Sequence, residues 1–173
     1  RAGAAGAGGA SDGLEVMVVD FEGTLLESST GNFYKGVAQS LQFSKLPWYV
    51  LTSGVPGEEV RAAVKGATTV DLPPARVLEG SALDGVKDVC SRPMAQDPAN
   101  RVHYVDNDLR ALEAAAAAEE LAGVNLWLAS WGATEADVAV RVFLAWHPQK
   151  TLKPCDRRKK HCRKTLARLG REP

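Results

Sequence analysis

Short apolar runs punctuate the chain at intervals, and stretches of helical periodicity lie between them. The runs fall at Glu15–Asp20, Trp48–Leu51, Arg76–Leu78, Val102–Val105 and Val124–Ala129. Each is too short for a helix, rich in β-branched or aromatic residues, and continuous rather than alternating. That pattern predicts strands covered on both faces. Phe33, Val37 and Leu41 recur at i, i+4 and i+8, which predicts a helix over Phe33–Phe43. Pro56 suits the start of a second helix, running to about Lys65. Ser81–Cys90 is a third. The run LRALEAAAAAEELAG, residues 109–123, is built from strong helix formers and predicts a fourth, closed by Gly123. Thr134 can cap a fifth, running to about Leu144.

Strand and helix therefore alternate from residue 14 to about 149, which predicts one α/β domain with a mostly parallel central sheet and helices on both faces. A Gly/Ala-rich lead-in, residues 1–13, precedes it. Ligands of such sheets bind beyond the carboxyl ends of the strands, near the point where the strand order reverses. Asp20, Glu22, Thr52, Ser53, Asp106 and Asp108 all stand just beyond strand ends. The length of 173 residues and the 45% apolar and 24% charged composition allow a proper core without metal or disulfide support. No apolar run approaches the roughly 18–20 residues of a membrane span.

Three of these strand ends carry a recognisable order. VMVVDFEGTLL, residues 16–26, resembles the first motif of the haloacid-dehalogenase-like (HAD) hydrolases, D-x-D-G-T. WYVLTSG, residues 48–54, is similar to their second motif, an apolar strand ending in Thr or Ser. RVHYVDNDLRALEAA, residues 101–115, resembles their acidic fourth motif, and GVNLWLASWGATEADV resembles the last strand and helix of plant and cyanobacterial members. The resemblance implies a HAD-like Rossmannoid three-layer sandwich. It implies a Mg²⁺-dependent phosphohydrolase in which Asp20 is the nucleophile and forms an aspartyl-phosphate. Glu22 is implied as general acid and base. Gly23, Thr52 and Ser53 are implied to bind phosphate, and a lysine, Lys87 or else Lys65, to neutralise it. Asp20, Glu22, Asp106 and Asn107 stand where the magnesium ligands belong, with Asp108 as the alternative acid.

The sequence also departs from that pattern. Glu22 stands where the family keeps Asp, one methylene shorter, and a misplacement of about 1 Å can cost on the order of a hundredfold in rate. Asn107 stands where a second carboxylate belongs. Only 27 residues separate the first motif from Thr52, and 34 separate Thr52 from Lys87, too few for a large cap domain. A capless site suits a macromolecular phosphorylated substrate, or no substrate. The rival expectation is therefore a HAD-derived domain that has lost catalysis and serves as an accessory subunit of a larger assembly. A phosphorelay receiver also uses strand-end acids, Thr and Lys, but the Gly-Thr after the acid pair is the hydrolase pattern.

Net charge is zero, yet its distribution is uneven. Residues 150–173 hold ten Lys or Arg against two acids, +8, and the rest of the chain is −8. Cys162, Leu166 and Leu169 add a narrow apolar stripe to this basic tail. It suits docking on an acidic protein partner or an RNA backbone. Cys90, Cys155 and Cys162 form no CxxC pair, and an odd count fits an intracellular, reducing compartment. The plant-type resemblance extends that expectation to a plastid or another organelle.

Overall fold

The computed structural model describes residues 13–132. The expected helix over 134–144 and the basic tail 150–173 lie outside them. Five strands form one sheet: β1 (Glu15–Asp20), β2 (Trp48–Thr52), β3 (Val77–Glu79), β4 (Arg101–Asp106) and β5 (Asn125–Leu128). Their order is β3-β2-β1-β4-β5, and every pairing is parallel. The helices are α1 (Lys35–Gln42), α2 (Gly57–Thr68), α3 (Ala82–Ser91), the single turn α4 (Pro93–Gln96) and α5 (Leu109–Ala117).

The alternation of side chains along each strand divides the core in two. Met17, Val19, Val50, Val105 and Trp127 face one way and pack with Val37 and Leu41 of α1 and Val60 and Val64 of α2. Val16, Val18, Leu51, Tyr104 and Leu128 face the other way and pack with Val86 and Val89 of α3 and Leu112 and Ala115 of α5. The fold is thus a Rossmann-like α/β sandwich. The first two connections cross one face moving outward from β1, and the later ones cross the other face moving the opposite way. The strand order therefore reverses between β1 and β4, and a crevice opens at their carboxyl ends.

Two expected helices change shape. Phe33 does not begin α1. It bridges to Leu26 and sets its ring edge-on to Phe21, 5.9 Å between centroids, so it closes a loop over the core. The long alanine-rich helix stops at Ala117 instead of running to Gly123; Ala118 turns extended and a 3₁₀ turn, Glu119–Leu121, follows. The reason lies in packing. Leu112 and Leu121 stand nine positions apart, about half a turn out of phase on a continuous helix. Both are buried in the same cluster, so the helix must break between them. The other elements predicted within residues 13–132 sit within a few residues of their expected ends. No helix among the described residues is long and apolar enough to cross a membrane.

Candidate functional site

β1 and β4 end side by side. Val19 pairs with Val105, so the next residues along each strand, Asp20 and Asp106, are neighbours at the point of reversal. Asp106 is buried at 3% exposure. Its Oδ1 accepts the Asp108 N–H at 2.7 Å, and its Oδ2 accepts the hydroxyl of the fully buried Tyr104. Tyr104 therefore fixes the Asp106 carboxylate from below. This side chain was not expected at the site, although its place two residues before a strand-end acid puts it on the same face of β4.

The Asp20 carboxyl is held well above the usual carboxylate range, first by burial, then by repulsion from Asp106 and Glu22. Burial also raises Asp106, while the Tyr104 hydroxyl and the Asp108 N–H restrain that rise. The half-buried Asp20 and the buried Asp106 carboxylates crowd each other, and no basic side chain among the described residues lines their cavity. That cavity, of about 390 Å³, is lined by Asp20, Glu22, Thr52, Ser53, Asp106, Asn107 and Asp108, among others.

The expected lysines are elsewhere. Lys87 Nζ bonds Glu120 Oε1 at 3.1 Å, and Lys65 Nζ bonds Asp71 Oδ2 at 3.0 Å. Neither lines the cavity. Ser53 lines it and is exposed. Thr52 is buried, and its Oγ1 accepts the Val55 N–H at 3.1 Å within a tight turn. Asp108 caps α5 by accepting the Arg110 N–H at 2.8 Å.

Asn107 and Gly23 form a clasp. The Thr24 hydroxyl donates to Asn107 Oδ1 at 3.0 Å and accepts the Asn107 N–H at 2.9 Å. Gly23 adopts φ +87°, and a Cβ there would lie 2.6 Å from the Asn107 amide nitrogen. The Gly23 N–H donates to the Leu26 carbonyl at 2.8 Å, so it is spent inside its own loop. The segment after β5 joins the clasp: Trp131 Nε1–H donates to the Thr24 carbonyl at 2.8 Å, and Asn107 Nδ2 approaches the Gly132 carbonyl at 3.4 Å. The Asn107 side chain thus ties three loops together.

Glu22 reaches across the crevice to the β2–α2 loop. Its Oε1 accepts the Gly54 N–H at 2.8 Å and lies 3.2 Å from Thr52 Oγ1. Its Oε2 is buried and meets no hydrogen-bond partner among the described residues. The extra methylene is what lets this carboxylate arrive there.

No family model matches the chain, and no curated protein or solved structure matches it. A divalent cation fits the donors present. Asp20 and Asp106 offer hard oxygens, their mutual repulsion is what a cation would relieve, and magnesium characteristically takes one or two carboxylates and keeps several waters. Among the described residues no three His, Cys, Asp or Glu side chains converge as a metal cluster, so such a cation would rest on this pair.

Proposed function

We propose that this chain is a phosphohydrolase of the HAD type, acting on a phosphate monoester through Asp20. The observation that carries the reading is the Asp20–Asp106 pair, set at the reversal of strand order and opening into a polar cavity. A Mg²⁺ held by Asp20 and Asp106 would neutralise the incoming phosphate and the two carboxylates. An Asp20 oxygen attacks phosphorus, the ester P–O bond breaks, and the leaving oxygen takes a proton from Glu22. Water then attacks the aspartyl-phosphate, giving its proton to Glu22 and releasing inorganic phosphate and the Asp20 carboxylate. Thr52 and Ser53 line the cavity where the transferred group would sit. No cap covers the crevice among the described residues, which suits a phosphorylated site on a larger molecule.

A second reading keeps the fold and drops the chemistry: an accessory domain that docks on other subunits. Two observations favour it. Lys87 is engaged by Glu120 rather than by the site, and Glu22 occupies the Gly54 N–H. Hydrolysis of a generic aryl phosphate decides between them. The phosphohydrolase reading expects turnover that requires Mg²⁺ and falls by at least about a hundredfold in Asp20→Asn. Equal rates for the wild type and Asp20→Asn would leave the accessory reading standing.

A further inference from the structure

The β2–α2 loop presents backbone N–H groups ahead of a twelve-residue helix, an arrangement that favours anions. One N–H of that loop and the first N–H of the helix are already taken by glutamates. Glu79 Oε1 accepts the Gly57 N–H at 2.9 Å, and Glu22 Oε1 accepts the Gly54 N–H at 2.8 Å. The two contacts differ in kind. Glu79 comes from β3 and is not part of the cavity lining, whereas Glu22 lies in the cavity wall beside Thr52 and Ser53. A Cβ on Gly57 would stand 2.5 Å from Glu79 Oε1 and one on Gly54 3.2 Å from Glu22 Oε1, so both carboxylates lie close against the backbone.

We propose that Glu22 is a specificity-determining residue: its carboxylate sits in the seat of an incoming phosphoryl oxygen, and an anion enters only by displacing it from the Gly54 N–H and Thr52. Oε1 holds the Gly54 N–H and lies 3.2 Å from the Thr52 hydroxyl, which also reaches the Val55 carbonyl at 2.9 Å, while Oε2 is buried without a partner among the described residues. A buried carboxylate oxygen left unsatisfied is costly, so the seat is filled but not tightly. An aspartate at this position is one methylene too short to reach as far. Glutamate therefore makes the site resist small phosphate anions and admits substrates whose remaining contacts offset the displacement. The inference rests on the phosphohydrolase reading for the identity of the anion, but its geometry can be tested by binding alone.

The experiment titrates inorganic phosphate into the full chain in Mg²⁺ buffer, by calorimetry, for the wild type, Glu22→Asp and Glu22→Gln. Glu22→Asp keeps the charge and removes the reach, and it is expected to bind phosphate at least roughly tenfold more tightly than the wild type. Glu22→Gln keeps the reach, and its amide oxygen can still take the Gly54 N–H, so its gain is expected to be smaller. Unchanged or weaker binding by Glu22→Asp overturns the proposal. So does a gain in Glu22→Gln that equals or exceeds that of Glu22→Asp, because repulsion alone would then be the cause. Should Glu22→Asp fail to fold, the wild-type Gly54 amide resonance serves instead. It is expected to move as saturating phosphate evicts Glu22, and phosphate binding without that movement overturns the proposal. Aryl-phosphate turnover separates the two readings. Tighter phosphate binding by Glu22→Asp with no turnover in either protein retains the seat and removes the hydrolase. Asp20-dependent turnover with no gain in Glu22→Asp removes the seat alone.

Discussion

His103 sits inside the sheet at 2% exposure, and its proton can be placed. Trp127 Nε1–H donates to His103 Nδ1 at 3.1 Å, so Nδ1 is the acceptor and Nε2 carries the hydrogen. Nε2 lies 4.0 Å from Glu15 Oε1, too far for a hydrogen bond. Protonating Nδ1 would set it against the indole N–H, and burial holds the imidazole below its ordinary value despite the pull of Glu15. The unfolded chain therefore takes up the proton first as pH falls below ~6.5. The stability contribution is complete above that pH and is lost as pH falls through the folded value. Urea midpoints at about pH 7.5 and about pH 5 should show a larger drop for the wild type than for His103→Gln, which stays neutral at both. Equal drops would mean that His103 is already free to titrate. The sequence marks His103 only as a histidine within a strand, because its Trp127 partner arrives from another strand. Glu22 shows the same limit more sharply. Its extra methylene is visible in the sequence, but its destination, the Gly54 N–H, depends on where β2 ends relative to β1.

Elements were legible where burial writes itself into composition. VMVV, WYVL and VHYV are covered on both faces, so they could hardly be read otherwise. The end of α5 was not legible, because a run of alanines carries no phase and only the shared burial of Leu112 and Leu121 reveals the break. The join between β5 and the β1 loop was hidden as well. It depends on Gly132, where a Cβ would lie 1.7 Å from the Gly23 carbonyl oxygen and 3.2 Å from the Asn107 Cβ. Gly132→Ala must push these loops apart, at an expected cost of about 1–3 kcal/mol and several degrees of Tm. Gly66→Ala is the matched control. Gly66 lies within α2 with nothing within 4 Å of an added Cβ, so the change is expected to raise stability by about 0.4–1 kcal/mol. Thermal melts of the two variants check both signs. The lysine partner was the least legible part of the site. The resemblance points to Lys87 or else Lys65, and Glu120, which holds Lys87, lies on the turn created by the break after α5.

Across the molecule, the sheet gathers its carboxylates at one crevice and leaves the repulsion there uncompensated by any basic side chain among the described residues that line it. Removing one charge should therefore help the metal-free protein. In chelator, Asp20→Asn is expected to melt a few degrees above the wild type. Adding Mg²⁺ should raise the wild-type Tm and leave Asp20→Asn nearly unmoved. A Mg²⁺ shift of equal size in both would place the cation elsewhere. The strand order has a further consequence during synthesis. β1 lies at the centre of the sheet, yet its β4 neighbour emerges more than eighty residues later. At about 5–20 residues per second, the ribosome leaves one side of β1 uncovered for several seconds or more. Throughout that interval the nascent chain presents a hydrophobic strand with free backbone donors and acceptors, a template for pairing with a neighbouring chain. The geometry that creates the crevice thus also sets how long the newborn chain stays open to such pairing.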